Sequence, residues 1–336
     1  MVNPKVGPGP RNLITDVDGL MVGNAQDERV RSGVTVVLPD SPAVMAVDAR
    51  GGAPGTRDIA ALDPANTIDA FHGLVLSGGS VFGLDAAGGV TSALSARGVG
   101  LALGPVAVPV VPAAILFDLA NGGDKAWGQD PPYRELGRDA VNAAALDFPL
   151  GNVGAGYGAQ AGAIKGGLGS ASAITSDGLQ VGALVAVNSS GSVLMPDGVT
   201  PWAWALEQDR EFGGLKPPET TVSMALDLPK GGFLARNTTI AVVATNLKLT
   251  KSEAKRLAIM AQDGLARAIR PVHTPFDGDL VFAMSTRSYS AGEAAALALA
   301  RAGALGADCL ARAVVRGVLA AQTVGQLMGY ADPARR

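Results

Sequence analysis

Short apolar runs bounded by turn residues recur along the chain and predict buried β-strands. These runs are Val34–Leu38, Val44–Val47, Gly73–Leu76, Leu179–Val187, Ser192–Met195, Ile240–Ala244 and Asp279–Thr286. The first two are joined by the turn-forming sequence Pro39-Asp40-Ser41-Pro42, so we expect them to pair as a hairpin.

Helix signals are strongest near the end of the chain. Thr250-Lys-Ser-Glu253 and Ser290-Ala-Gly-Glu293 are capping boxes, each of which opens a segment with apolar residues at helical spacing. The second segment contains Gly303–Gly306, which predicts a break into two helices. Earlier in the chain, Ser80 is expected to cap a helix that runs to Arg97.

Strands and helices are mixed along the chain without strict βαβ alternation. This pattern favours an α+β fold in which helices cover two mostly antiparallel or mixed sheets. The segment 196–229 is predicted to be a helical or irregular excursion from that framework.

Composition excludes several classes of protein. Hydrophobic residues make up 48% and charged residues 17% of the 336 residues, so general disorder is excluded. The net charge is −3 and there is no basic run, so we expect no nucleic-acid partner. The first eleven residues lack the apolar core of a secretory signal, which predicts a cytoplasmic location.

The longest uncharged stretch, Gly98 to Phe117, is long enough to span a bilayer. It contains Pro105, Pro109 and Pro112, which would interrupt a helix. We therefore predict buried strands joined by proline turns, and no membrane partner.

Cysteine and histidine are too few for a metal centre. Cys309 is the only cysteine, and His72 and His273 are the only histidines. An internal disulfide and a thiolate-rich metal site are excluded, and we expect neither a metal nor a cofactor.

Two glycine-rich segments have alternative interpretations. Gly156-Tyr-Gly158-Ala-Gln-Ala161 matches a loose dinucleotide-binding fingerprint, but no apolar strand precedes it. It is otherwise a turn-rich loop, or a loop that brings Lys165 to an active site. Gly78-Gly79-Ser80 follows a predicted strand and is either a tight turn or an anion-binding helix start.

The sequence Asn237-Thr238 also has two interpretations, a simple turn before a strand or an autocatalytic break. A threonine hydroxyl is a weak nucleophile and needs a base. A break before Thr238 would supply that base as a new α-amine on the same residue, with a reference pKa of about 7.7–8.0. Such a mechanism requires no catalytic histidine.

Asp277 and Asp279 flank a glycine just before a predicted strand. They are either a solvated turn, a pair of cation ligands, or a pair that orients an amine. The EF-hand pattern is absent, which disfavours a metal site.

Five segments in this order resemble the P1 peptidase family, which comprises the L-aminopeptidase/D-esterases, the β-aminopeptidases and the 6-aminohexanoate-oligomer endohydrolases. The segments are Val47–Arg57, Leu76–Leu84, Gly154–Gly156 with Lys165–Gly167, Asn237–Thr239, and His273–Asp279. The resemblance covers about residues 12 to 330.

The resemblance implies a four-layer αββα sandwich that is made as an inactive precursor and cuts itself. The break would fall between Asn237 and Thr238, so that residues 1–237 and 238–336 become two chains of one domain. The small chain then begins with the nucleophile, Thr238.

The resemblance also implies roles for other residues. Asn188 corresponds to an oxyanion-stabilising asparagine, Lys165 to a lysine near the nucleophile, and Asp277 and Asp279 to the aspartate pair of the nylon-oligomer hydrolases. Phe117 stands where a family tyrosine is expected, and with Gly78 and Gly79 it is predicted to line the substrate site.

The expected activity is hydrolysis of small peptides or related linear amides through an acyl-enzyme on Thr238. An amine acyltransferase with the same mechanism and a non-catalytic binding protein with the same fold are the alternatives. The resemblance further implies a homo-oligomer, a tetramer or larger.

Overall fold

The computed structural model describes residues 4–219 and 237–335, so residues 220–229 of the predicted excursion lie outside the described part. The helices are α1 (Asp85–Ala96), α2 (Tyr133–Asn142), α3 (Lys251–Ala268) and α4 (Ala295–Leu319). The strands are β1 (Val6–Gly7), β2 (Leu20–Asp27), β3 (Ser32–Pro39), β4 (Val44–Ala49), β5 (Gly55–Arg57), β6 (Leu74–Ser77), β7 (Leu101–Ala102), β8 (Ala107–Val108), β9 (Ala113–Ile115), β10 (Gln160–Ala161), β11 (Ile164–Lys165), β12 (Gly167–Thr175), β13 (Gln180–Val187), β14 (Ile240–Leu247) and β15 (Leu280–Tyr289). The predicted α+β class is confirmed.

Two larger sheets form the framework. The six-stranded sheet has the order β1-β12-β13-β14-β15-β4 and is antiparallel except for the parallel pair β14 and β15. The five-stranded sheet has the order β2-β3-β6-β9-β5 and is antiparallel except for β6 and β9. β7 with β8 and β10 with β11 form two small separate pairs.

Three apolar clusters hold these elements together. One cluster combines side chains of both sheets, such as Leu76 and Phe282, and lies between them. A second joins the six-stranded sheet to α3 and α4, and a third joins the five-stranded sheet to α1 and α2. Alternate residues along a strand point to opposite faces, so both faces of each sheet are buried.

The predicted hairpin of Val34–Leu38 with Val44–Val47 is wrong. β3 pairs with β2 and β6, whereas β4 pairs with β15 in the other sheet. On their outer faces, Val36 packs in the cluster with α1 and α2, and Val44 packs in the cluster with α3 and α4. The turn sequence therefore carries the chain from one sheet to the other, and turn composition alone does not distinguish these cases.

The Thr250 capping box is confirmed, because the Thr250 side chain accepts from the Glu253 amide at the start of α3. The predicted break at Gly303–Gly306 is wrong, since α4 is one helix of 25 residues. A Cβ at Gly303 would clash with Met260, and one at Gly306 would lie 2.9 Å from Val243. These glycines thus allow α4 to pack closely on α3 and β14.

Three other helix and strand predictions need correction. Ser290 does not cap α4, because a 3-10 turn at Gly292–Ala294 leads into that helix without a side-chain cap. Ser80 does not cap a helix either; it begins a 3-10 turn that precedes α1. Ser192–Met195 makes only isolated bridges, from Ser192 to Arg270 and from Leu194 to Pro201.

The uncharged stretch Gly98 to Phe117 contains β7, β8 and β9, so the predicted strands are present. Only β9 is buried as predicted, because β7 and β8 lie at the surface, where Leu103 and Val106 between them are exposed. Within the described residues, one helical stretch, Gly292–Leu319, is long and apolar enough to cross a membrane, with a mean hydropathy of 1.4. Its buried residues, among them Leu310 and Val314, pack in the cluster formed by α3 and the six-stranded sheet. Core helices pass the same test of length and composition.

Candidate active site

Strand direction brings four predicted residues to one edge of the six-stranded sheet. β12, β14 and β15 begin at this edge, and β13 ends there, because Gly167 pairs with Val187 and Ile240 pairs with both Ala186 and Leu280. The residues just outside these strand ends are Lys165, Asn188, Thr238 and Asp279. Residues more than a hundred positions apart in sequence therefore lie together.

The five-stranded sheet contributes a second edge. β6 and β9 are parallel, so the residues that follow them, Gly78 and Gly79 after β6 and Phe117 after β9, leave the sheet on the same side. The two edges meet where the Asn188 Nδ2 donates to the Phe117 carbonyl oxygen at 3.0 Å.

Thr238 lies at the centre of this junction and is 5% exposed. Its backbone nitrogen donates to the Asn188 carbonyl oxygen at 2.6 Å. Its hydroxyl Oγ1 donates to the carbonyl oxygen of Asn237 at 2.5 Å. The hydroxyl is thus placed directly beside the peptide bond that precedes it.

The Asn237 carbonyl oxygen also accepts from the Gly278 backbone nitrogen at 3.0 Å. This donor was not predicted from the sequence, where Gly278 was only the spacer between two aspartates. It arises because Asn237 and Asp277 form a parallel bridge just before β14 and β15. A Cβ at Gly278 would lie 2.8 Å from Thr238 Oγ1 and 2.7 Å from the Ala53 carbonyl oxygen, so only glycine fits without displacement.

Asp279 holds the residue that follows Thr238. Its Oδ1 accepts from the Thr239 amide at 2.7 Å, and its Oδ2 accepts from the His273 amide at 3.0 Å. The His273 Nδ1 lies 3.1 Å from the same Oδ2. Asp279 makes no hydrogen bond with the Thr238 side chain in the described part of the chain.

Asp277 holds the residue that precedes Thr238. Its Oδ1 accepts from the Ser190 hydroxyl at 2.9 Å, and that hydroxyl oxygen accepts from Asn237 Nδ2 at 3.0 Å. Its Oδ2 accepts from the Thr274 hydroxyl and amide. Burial, together with the charge of Asp279, raises the pKa of Asp277 above its ordinary value. The aspartate pair therefore fixes the backbone on both sides of Thr238.

Lys165 is completely buried. Its ammonium donates to the carbonyl oxygens of Gly156 at 2.9 Å and Gly166 at 2.7 Å, and no ion pair to it occurs among the residues that the structure describes. Burial lowers the pKa of Lys165 to about 7, although the charge of Asp118 acts in the opposite direction. Lys165 lies in β11, which pairs with β10. In β10, the backbone nitrogen of Gln160 donates to Asn188 Oδ1 at 2.9 Å.

The lowered pKa of Lys165 predicts a pH-dependent stability. Between about pH 7 and pH 10.5 the unfolded chain binds one more proton at this site than the folded chain, so stability rises with pH across that window. In a Thr238→Val background, where both proteins stay one continuous chain, the unfolding free energy of the protein with Lys165 should rise relative to Lys165→Met by up to about 1.4 kcal/mol per pH unit there. Urea unfolding of both proteins from pH 6 to pH 10 measures this difference, and parallel curves would contradict it.

Gly78 and Gly79 lie against Asp118 rather than against Thr238. The Gly79 amide donates to Asp118 Oδ1 at 2.7 Å, and a Cβ at Gly78 would clash with Asp118 Oδ2. Asp118 is buried beside Phe117, and the sequence did not single it out. No signal in the sequence marks it, because its partners come from distant segments.

Within the described segments, 4–219 and 237–335, no group of three or more His, Cys, Asp or Glu side chains could hold a metal ion. The polar groups around Thr238 are instead hydroxyl, amide, carboxylate and amine groups. This set can supply a nucleophile, proton acceptors and hydrogen-bond donors to a developing oxyanion.

Comparison with known proteins defines the class as hydrolases of peptide and amide bonds. The chain belongs to peptidase family S58, whose family model matches residues 12–331. The family resemblance found in the sequence is therefore confirmed.

Relatives match nearly the whole chain. An uncharacterized aminopeptidase of Mycobacterium tuberculosis is 45% identical over 341 residues, which cover 96% of this chain and 97% of that protein. A 6-aminohexanoate-oligomer endohydrolase of a Kocuria species is 30% identical over 293 residues, 84% of this chain and 77% of that protein.

A solved structure, the L-aminopeptidase D-Ala-esterase/amidase of Ochrobactrum anthropi, shows the same fold. It superposes with a TM-score of 0.68 at 22% identity and covers 99% of this chain and 94% of that one. That protein is described as a variant of the Ntn hydrolase fold.

Proposed function

We propose that this chain is a self-cleaving N-terminal-nucleophile amide hydrolase that acts on small peptides or related linear amides through Thr238. The observation that carries the proposal is the hydrogen bond of 2.5 Å between Thr238 Oγ1 and the Asn237 carbonyl oxygen. The same oxygen accepts from the Gly278 amide, which would stabilise negative charge on it.

Maturation begins when Thr238 Oγ1 attacks the Asn237 carbonyl carbon. The C–N bond breaks, the hydroxyl proton passes to the leaving nitrogen, and an ester joins the two residues. Water then hydrolyses this ester, which leaves a carboxylate on Asn237 and a free amine and hydroxyl on Thr238. Alignment of neighbouring groups of this kind can lower a barrier by about 7–11 kcal/mol.

Turnover uses the new amine as its base. The Thr238 nitrogen donates to the Asn188 carbonyl oxygen in the continuous chain, and the same acceptor would orient the free amine. The amine takes the proton of the Thr238 hydroxyl, which attacks the substrate carbonyl and forms an acyl-enzyme. Water then releases the acyl group.

Two other side chains assist this reaction. The Asn188 amide has one N–H directed to the Phe117 carbonyl, and its second N–H can donate to the oxyanion. The protonated form of Lys165 favours a neutral amine on Thr238 and stabilises negative charge. Because the pKa of Lys165 lies near 7, that cation is present or absent depending on the working pH.

The family and the relatives support amides as the proposed substrate class. Aminoacyl amides, β-peptides and 6-aminohexanoate oligomers all contain the amide that this mechanism cleaves. The Asn237-Thr238 junction with Asp277 and Asp279 favours the nylon-oligomer type, which one of the relatives represents.

We further propose that the two sheets with α3 and α4 on one side and α1 and α2 on the other constitute a four-layer αββα sandwich. The three apolar clusters support this stacking order. We also propose a cytoplasmic location and assembly into a homo-oligomer, a tetramer or larger. Light scattering of the purified protein tests the oligomeric state.

Intact-mass analysis and N-terminal sequencing of purified protein test the proposed function. We expect two chains of about 24 and 10 kDa, in proportion to their lengths, and the smaller should begin with Thr238. A single full-length chain that remains intact for days would overturn the proposal.

Gly278→Ala should slow self-cleavage by about 10²-fold, because its Cβ would displace the Thr238 hydroxyl from the scissile carbonyl. The time course of the full-length band on a denaturing gel measures this rate. Gly104→Ala is the matched control, since a Cβ there meets nothing within 4 Å. Equal rates in the two variants would show that the close approach at Gly278 does not matter.

A further inference from the structure

Asn237 supplies the first carbonyl that the Thr238 hydroxyl attacks in the proposed mechanism. The same hydroxyl later attacks the substrate, so a substrate carbonyl must then occupy the place of the Asn237 carbonyl. Hydrolysis of the ester leaves Asn237 as a chain end, which has to withdraw before a substrate reacts. The contacts of the Asn237 side chain therefore show what the acyl side of a substrate meets.

The Asn237 side chain contacts a buried hydroxyl. Asn237 Nδ2 donates to Ser190 Oγ at 3.0 Å. Ser190 is 6% exposed and lies in the turn that follows β13, two residues after Asn188. The acyl side of the site is thus built on the same strand end as the proposed oxyanion donor.

Ser190 Oγ acts as an acceptor towards this side chain, because its own proton is directed to Asp277. The hydroxyl donates to Asp277 Oδ1 at 2.9 Å, and the Ser190 amide donates to the same oxygen at 3.2 Å. Asp277 Oδ2 accepts from the Thr274 amide at 3.2 Å, so both oxygens of this carboxyl group are acceptors. A hydroxyl has a single proton, which leaves the lone pairs of Ser190 Oγ for Asn237 Nδ2. This position therefore selects a hydrogen-bond donor.

The reacting carbonyl and this acceptor are held by one short segment. The Asn237 carbonyl oxygen accepts from the Gly278 amide at 3.0 Å, and Asn237 forms a parallel bridge with Asp277. Asp277, which holds the Ser190 hydroxyl, precedes Gly278 in sequence. The spacing between carbonyl and acceptor is thus set for an acyl group whose N–H lies on the γ-carbon, as it does in asparagine.

We propose that Ser190, oriented by Asp277, determines specificity at an acyl-side subsite that binds substrates with an N–H donor on the γ-carbon of the acyl residue. Asn237 occupies this subsite in the precursor. An apolar acyl group of similar shape, such as leucyl, would bury Ser190 Oγ without a donor, which is unfavourable. This inference rests on the proposed function and narrows its substrate class.

Two substrates of similar shape test the subsite. We expect the matured wild type to hydrolyse asparagine p-nitroanilide with a kcat/KM about tenfold higher than that for leucine p-nitroanilide, the effect of one hydrogen bond. In matured Ser190→Ala the ratio of the two kcat/KM values should fall to about one, because the acceptor is gone. The ratio is the readout, since loss of the hydroxyl also removes a contact of Asp277 and can change both rates together.

A double-mutant cycle on self-cleavage tests the same contact in the precursor. Ser190→Ala removes the acceptor and Asn237→Leu removes the donor, so each should slow self-cleavage by about tenfold. The double variant should be slower than the wild type by about tenfold as well, and not by about a hundredfold, because both changes remove one shared interaction. The time course of the full-length band on a denaturing gel gives the four rates.

Ser189→Ala is the matched control. Ser189 is also buried, and its hydroxyl donates to the Gly191 carbonyl oxygen at 2.8 Å. It makes no hydrogen bond with the side chain of Asn237 or Asp277 among the described residues. The substrate ratio and the effect of Asn237→Leu should therefore be the same in Ser189→Ala as in the wild type.

The outcomes separate this inference from the proposed function. A wild type that matures but shows no preference for the asparagine compound, or does not hydrolyse it, would overturn the subsite. An unchanged ratio in Ser190→Ala or additive effects in the cycle would overturn the role of Ser190. If Ser190→Ala does not fold, Ser190→Cys replaces it, because a thiol is a weak acceptor. Failure of the wild type to cleave itself and to hydrolyse any amide would instead overturn the proposed function.

Discussion

Thr238→Val is expected to remain a single full-length chain with no hydrolytic activity. Valine has nearly the same shape as threonine and lacks the hydroxyl that lies 2.5 Å from the Asn237 carbonyl oxygen. Without this nucleophile neither the ester of maturation nor the acyl-enzyme forms, so both rates should fall by about 10⁴-fold or more, in the range seen when a nucleophile is removed. Gel electrophoresis over several days and assays with a small aminoacyl amide measure the two rates.

Thr239→Val provides the matched control for this experiment. Thr239 is equally β-branched and buried, and its Oγ1 has no hydrogen-bond partner among the described residues. Loss of that hydroxyl should leave self-cleavage close to the wild-type rate. Thr238→Ser retains a hydroxyl and should still cleave. Normal cleavage in Thr238→Val would remove the nucleophile from the mechanism.

The strands and helices could be predicted from the sequence where the local pattern was decisive. β13, β14 and the first half of β15, Leu280–Met284, are buried on both faces and consist mostly of apolar residues, and α3 begins at a complete capping box. The pairing of β3 and β4 could not be predicted in this way. A short turn between two apolar runs is compatible with a hairpin and with a crossover between sheets, and only long-range packing selects one.

Glycine in α4 illustrates a second limit. Gly303 and Gly306 lower the intrinsic preference for a helix, which led to the prediction of a break. In the fold they are contact points for Met260 and Val243, and the packing gained there offsets the weak propensity. Sequence alone does not reveal which glycines end a helix and which allow a neighbour to approach.

The predicted catalytic residues lie together, although their roles stay predictions, whereas Gly78 and Gly79 lie against Asp118. Thr238, Lys165 and the aspartate pair were candidates from the residues themselves, and the family resemblance added Asn188 and chose among the alternatives. Sheet topology explains why these residues converge at one edge. Gly278 and Asp118 were missed for different reasons. Gly278 acts through its backbone amide, which carries no sequence signal, and the partners of Asp118 come from segments up to 86 residues away.

Asn188→Ala should slow turnover by about 10²–10³-fold, the usual effect of the loss of one oxyanion donor. Self-cleavage should also slow, because it passes through an oxyanion on the Asn237 carbonyl. We expect the smaller effect on self-cleavage, since the Gly278 amide already donates to that oxygen at 3.0 Å and remains in the variant. Single-exponential fits to band intensity and steady-state kinetics of the matured enzyme give the two factors.

Asn188→Asp separates the amide donor from the shape of the side chain. Its carboxylate can still accept from the backbone nitrogen of Gln160, as Asn188 Oδ1 does at 2.9 Å, but it cannot donate to an oxyanion. A loss at least as large as in Asn188→Ala is expected, because the added negative charge lies near the developing one. Normal rates in both variants would show that the Asn188 side chain does not donate to the oxyanion. The backbone amide of Gly278 would then be the main donor.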